Sequence, residues 1–179
     1  IDELGYEKIK FDFKTGWKWN TKANDFSYEL DLGITDAASL AISTNLVDLD
    51  TNILTIQGAP LLTYLMTTPK LKQLRLSLVD NSLRNKLLEY AAKEQNMTTT
   101  QMKDFITQSM DIYSNTIGID QGLIKEFIDT TSNFINGSNK IVLAVKPLDP
   151  VSINDLTPDV MGQNYNALTN KLNINFSNF

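Results

Sequence analysis

From Ile9 to Leu46 the chain alternates apolar and polar side chains with a period of two, and this pattern restricts what it can fold into more than any other feature. Ile9, Phe11 and Phe13 alternate with Lys8, Lys10, Asp12 and Lys14, and Trp17 and Trp19 alternate with Lys18 and Asn20. Successive side chains of a strand point to opposite faces, so such a segment is a strand with one buried face. The clearest case sets Phe26, Tyr28, Leu30, Leu32 and Ile34 on one face and Ser27, Glu29, Asp31 and Gly33 on the other. Leu40, Ile42, Thr44 and Leu46 follow a short Thr-Asp turn, which predicts a hairpin. Charged residues on the alternate positions require a wet face, and this argues for a mainly antiparallel sheet.

Further along, the apolar spacing changes. A short helix is expected from Pro60, with Pro69 closing it, because proline suits a first helical turn. Leu74, Leu76 and Leu78 predict a strand over 71–79. Asp80, Asn81 and Ser82 offer caps for a helix whose Leu83, Leu87, Leu88 and Ala91 share one stripe. Thr98 to Thr100 start a second helix carrying Met102, Phe105, Ile106 and Tyr113, expected to stop near Gly118. Asp120 caps a third, with Leu123, Phe127, Ile128, Phe134 and Ile135, ended by Asn136 and Gly137. A strand over 140–146 runs into Pro147 and Pro150. Ser152 with Asp155 reads as the cap of a brief helix, Pro158 to Thr169 as another, and 171–177 as a last strand through Leu172, Ile174 and Phe176. The expected fold is a single α+β domain over residues 1–179, a curved and mainly antiparallel sheet with helices packed on one face.

Two residue types are missing. The chain contains neither histidine nor cysteine, which removes serine triads of the usual kind, Cys-His pairs, histidine zinc sites and disulfides. Carboxylate, lysine or tyrosine chemistry remains. A net charge of -5 and a pI near 4.7 provide no long-range attraction for phosphate backbones, so no nucleic-acid partner is expected. Apolar runs such as Ile141 to Val145 fall far short of the roughly 20 residues that span a bilayer. Because the sequence starts at Ile1, the reading is of a mature or trimmed product whose leader lies out of view.

Several constellations could carry chemistry. Asp48, Asp50 and Asn52 match the opening of a calcium loop, but Ile53 stands where that loop needs glycine and Ala59 where it needs glutamate. Asp48 with Asp50, or Glu89 with Glu94, offers paired carboxylates for acid/base work if a cleft joins them. Lys70, Lys72 and Arg75 suggest a phosphate or acidic partner, or else an exposed, solubilising sheet edge. No glycine-rich nucleotide loop is present. Asn96, Asn136 and Asn175 lie in N-x-[ST] triplets. Trp17 and Trp19 either line a ligand cleft or close one end of the core, the core being preferred. Met97, Met102, Met110 and Met161 are read as gap fillers. No catalytic, cofactor-binding or metal-ligating residue is assigned, and no cofactor is expected.

The stretch Leu71 to Ala92, LKQLRLSLVDNSLRNKLLEYAA, together with Ile141 to Leu156, IVLAVKPLDPVSINDL, resembles the C-terminal part of uncharacterised proteobacterial cell-envelope proteins. More distantly it resembles large lipid-handling or assembly proteins of the AsmA-like sort, over residues 25 to 179. The resemblance implies a fragment of a longer exported protein, periplasmic or in the cell envelope, tethered to the membrane by a segment outside this sequence. It carries over no site residues.

The functional expectation is therefore a non-catalytic binding or scaffolding module of the bacterial envelope, taking a lipid-like ligand or an envelope protein as partner. Two alternatives stand beside it. One is a carboxylate-based hydrolase acting on glycans. The other is a surface or secretion assembly component, which would place the protein outside the cell.

Overall fold

The period-two segments build a single six-stranded sheet in a computed structural model that describes residues 4–6, 8–114 and 119–178. Strands β1 (Phe11–Asn20), β2 (Asp25–Ile34), β3 (Ala38–Val47), β4 (Lys70–Asp80), β5 (Lys140–Val145) and β6 (Ile174–Ser177) lie side by side in chain order. Every neighbouring pair is antiparallel. The expected hairpin joins β2 to β3, and its turn uses a positive φ of 63° at Asp36, a conformation aspartate tolerates better than most residues.

Register makes one face of the sheet apolar across its whole width. Phe13 stands opposite Leu32, Leu32 opposite Leu40, Leu40 opposite Leu78, and Leu78 opposite Ile141. Between β3 and β4 the pairing slips at Asn45 and Leu46, so that Leu71 rather than Lys72 meets Leu46. That bulge keeps the apolar face continuous where strict alternation would have put a lysine on it.

Six helices fill the connections. Helix α1 (Ala59–Thr67) starts with Pro60 in its first turn and lies between β3 and β4. Helices α2 (Leu83–Glu94), α3 (Thr99–Ser114) and α4 (Gln121–Asn136) separate β4 from β5, whereas α5 (Ile153–Met161) and α6 (Tyr165–Leu172) separate β5 from β6. Helix α2 packs on α3, α3 on α4, and α4 on β5 and β6. At their centre Leu88, Ala92, Met102 and Ile135 form the buried core, flanked by Ala91, Ile106 and Met110. Each large side chain fully buried there contributes roughly 1.5–3 kcal/mol.

Caps set the helix ends. Asp120 accepts a hydrogen bond from the Leu123 N–H at 2.9 Å, and Gly137, at φ 143°, ends α4 as expected. Ser152 and Asp155 form a reciprocal capping box on α5. At α2 the capping differs from expectation: Ser82 makes no capping bond and donates instead to the Asp36 carbonyl, while the Asp80 carboxylate takes the Arg84 N–H at 2.7 Å. The Arg84 guanidinium then donates to the carbonyls of Phe134 and Ser138 at 2.6 and 2.5 Å, and its other nitrogen lies 3.7 Å from Asp80. One arginine thus ties the β4–α2 junction to the end of α4.

Three sequence expectations need correction. The last strand begins at Ile174, not 171, because α6 continues through Leu172 and a left-handed Asn173 makes the turn. Pro158 sits inside α5, so the brief helix runs to Met161 and the following one starts at Tyr165. The strand carrying Lys70, Lys72 and Arg75 is no edge, since β4 is hydrogen-bonded to β3 and β5 on its two sides. Gly118 and the side chain of Tyr113 lie outside the described residues.

Removing Arg84 leaves the Asp80 side chain, only 5% exposed, without its cation. Arg84→Ala is expected to cost about 3 kcal/mol, read as a lowered midpoint in urea unfolding followed by circular dichroism. Acid has a separate effect at α5. The Ser152 N–H and then its hydroxyl, both bonded to the Asp155 carboxylate, hold that carboxyl below its usual range. A depressed folded value adds stability above the unfolded value of about 3.9, lost as pH falls through the lowered one. Amide protection factors of α5 in the wild type, corrected for the intrinsic exchange rate, should therefore fall below about pH 4, and Asp155→Asn should abolish that acid-dependent step.

Candidate functional site

The helices pack on the sheet chiefly at its β5–β6 end. Over β5 and β6 they leave a cavity of about 620 Å³, walled by Phe105, Ile106 and Met110 from α3, Ile124 and Phe127 from α4, and Leu143, Val145, Ile174 and Phe176 from the sheet. Ser109 and Thr169 are among the few polar residues on its wall. Phe127 and Phe176 meet edge to face with ring centres 5.2 Å apart. Helical spacing explains how α3 and α4 turn these residues inward: Phe105, Ile106 and Ser109 recur at intervals of one and three, as do Ile124, Phe127 and Ile128.

Two further apolar hollows continue the cavity across the sheet. One of about 330 Å³ lies between α2, α3 and the sheet and shares Ile106 with the first. Another, of about 530 Å³, lies on β1 to β4 among Phe11, Phe13, Leu32, Ile34 and Leu40, and shares Ala38, Leu78 and Leu83 with the second. Together they make an open trough along the apolar face, lined by α3 and α4 at the β6 side and mainly by strand residues at the β1 side. At the β6 end a polar hollow of about 260 Å³ adjoins the large cavity, sharing Leu123, Thr169 and Ile174 with it and adding Asp120, Glu126, Asn170 and Asn173. Neither a lysine nor an arginine lines that hollow.

Asp48 and Asp50 are both engaged structurally. Asp48 pairs with Lys70 at 2.9 Å, and this bond raises the lysine's pKa above its ordinary value. Asp50 accepts the Asn52 N–H at 2.7 Å and so caps a 3-10 turn at Thr51–Leu54. Among the described residues no group of three or more acidic, His or Cys side chains is placed to hold a metal ion. Glu89 and Glu94 line a common hollow of about 330 Å³ together with Leu4, Lys86, Tyr90 and Lys93. Lys72 lies 3.9 Å from Asp25. Of the triplet asparagines, Asn175 donates to the Glu126 carboxylate.

The two tryptophans part ways. Trp19 packs edge to face on Phe26 and donates its indole N–H to the Leu49 carbonyl. Trp17 is 71% exposed and Trp19 is only half-buried, so neither lies in the buried core expected of the pair. The methionines divide likewise: Met102 is buried and Met110 lines the cavity, while Met97 and Met161 are exposed. Sequence reasoning did not single out the cavity residues Leu143, Val145 and Phe127 as a site, because their spacing signals burial without saying against what.

A family model described as "Uncharacterized protein" matches residues 31–178. The chain belongs to that family. The matched region contains β3 to β6, helices α1 to α6 and the whole cavity wall, and it omits β1. No curated protein and no solved structure matches the chain.

The exposure of the two indoles is directly measurable. In dilute solution Trp19→Phe should leave an emission that is red-shifted and readily quenched by acrylamide, whereas Trp17→Phe should leave a blue-shifted, protected one.

Proposed function

We propose that the protein is a non-catalytic binding module for lipid-like molecules, held with the apolar tail between α3, α4 and the β5–β6 end of the sheet. The observation that carries this reading is the cavity of about 620 Å³, walled almost entirely by carbon. Its volume falls in the range of about 300–1,000 Å³ typical of small-molecule sites. The chemistry of the adjoining hollow narrows the ligand class. Asp120 and Glu126 disfavour an anionic head, while Asn170 and Asn173 offer amide groups to hydroxyls. A neutral or cationic amphiphile fits this pair of environments better than a fatty acid does.

An envelope setting is part of the proposal and rests on the resemblance of residues 71–92 and 141–156. Fractionation of a bacterial host expressing the natural full-length protein tests it, and recovery from the cytosol alone would remove it.

The binding reading is tested with an alkyl-chain series bearing neutral, choline-type and carboxylate heads, titrated below micelle formation. Each added methylene is expected to contribute up to about 0.8 kcal/mol, roughly fourfold in Kd, until the cavity is filled. The carboxylate series should bind most weakly. Ser109→Trp, which fills the cavity from α3, should abolish binding while leaving the fold intact by circular dichroism. Affinity independent of chain length, or no binding at all, would overturn the reading.

A further inference from the structure

We propose that β1 is a self-complementary edge through which two copies of the chain pair antiparallel, in one register, to make a continuous twelve-stranded sheet. The strand is bonded to β2 on one side and to no described strand on the other. Its backbone phase is fixed by the Lys10 carbonyl, which accepts the Thr35 N–H at 3.0 Å. Even-numbered residues therefore direct their N–H and C=O groups to β2, and Phe11, Phe13, Thr15, Trp17 and Trp19 direct theirs outward. Two outward edges can bond only when odd residues face odd residues.

Among such registers, charge and full overlap of the strand together select the one centred on Thr15, because the Trp17-centred register, though free of like pairs, sets Phe11 and Phe13 against residues beyond the end of β1. In the Thr15-centred register Asp12 faces the second copy's Lys18, Lys14 faces Gly16 and Lys10 faces Asn20. Shifting the partner by two residues sets Lys14 against Lys14 in one direction and against Lys18 in the other, and like charges directly opposite are destabilising. Residues 8–22 hold five lysines and a single acid, so indiscriminate pairing of this edge is opposed, as lysine-bearing edges generally are. The Thr15-centred register escapes that opposition. It also sets Phe13 beside Trp17 and Phe11 beside Trp19 on the apolar face, where Phe11, Phe13 and Trp17 stand 75%, 68% and 71% exposed in the isolated chain. Aromatic pairs across strands are among the favourable ones, and about ten backbone hydrogen bonds form between the two edges. The two-fold axis passes through Thr15, so the contact closes at two copies.

The cysteine-free chain permits a clean test. At the axis the two Thr15 Cα atoms are expected about 5.5 Å apart, inside the range of about 4.4–6.8 Å that a disulfide spans. Thr15→Cys should oxidise to a covalent dimer in high yield, and Ser43→Cys, on β3, should not. Sedimentation of the unmodified chain should show a dimer. Thr15→Pro, which removes an outward N–H that β2 does not use, should make it monomeric, as should Lys18→Asp, which sets two acids opposite each other. Asp12→Lys combined with Lys18→Asp should restore the dimer, an outcome that loss of folding cannot mimic. A chain monomeric at about 100 μM, or a dimer indifferent to Lys18→Asp and Thr15→Pro, would overturn the proposal. Lipid titration of the Lys18→Asp variant keeps this result separate from the binding reading, because the cavity lies at the other end of the sheet.

Discussion

Everything in this molecule depends on the apolar face of the sheet running unbroken through six strands while helix packing on it is concentrated at β5 and β6. Burial of apolar area is the dominant favourable term in folding, and it is concentrated where Leu88, Ala92, Met102 and Ile135 meet. The same register that builds this core also presents Phe11, Phe13, Trp17 and Leu32 to solvent. Exposed aromatic clusters of that kind are uncommon on isolated soluble chains and mark interaction surfaces.

Much of this fold was legible in the sequence, because alternation and turn chemistry are local signals. Phe26 to Ile34 and Leu40 to Leu46 read as paired strands, and Asp120 with Gly137 bounded α4 correctly. Where the reading slipped, a non-local interaction decided the outcome. Leu172 belongs to a helix because the left-handed Asn173 ends α6, which no two-residue period reveals. Asp80 rather than Ser82 satisfies the first turn of α2, since Ser82 is engaged by Asp36 across the β2–β3 hairpin. Lys70, Lys72 and Arg75 suggested an edge, yet strand order is a property of the whole sheet.

The candidate site was less legible than the fold. Phe105, Ile106, Phe127 and Val145 each carry the spacing of buried residues, and spacing alone does not tell a filled interface from a hollow one. The difference arises because α3 and α4 pack on each other and α4 on β5 and β6 without closing the space between them. Trp17 illustrates the converse: it shares its face with Trp19, but only Trp19 has the Leu49 carbonyl and the Phe26 ring within reach.

The placement of α2, α3 and α4 inside the connection between two hydrogen-bonded neighbours, β4 and β5, also bears on how the chain assembles. The β2–β3 turn closes over Thr35, Asp36 and Ala37, whereas pairing β5 with β4 closes roughly sixty residues, which costs about 2–3 kcal/mol more in chain entropy for a flexible loop. Contacts so distant along the chain form slowly. The first four strands therefore close shorter loops than the β6 end of the trough, which needs β5, β6 and three helices together.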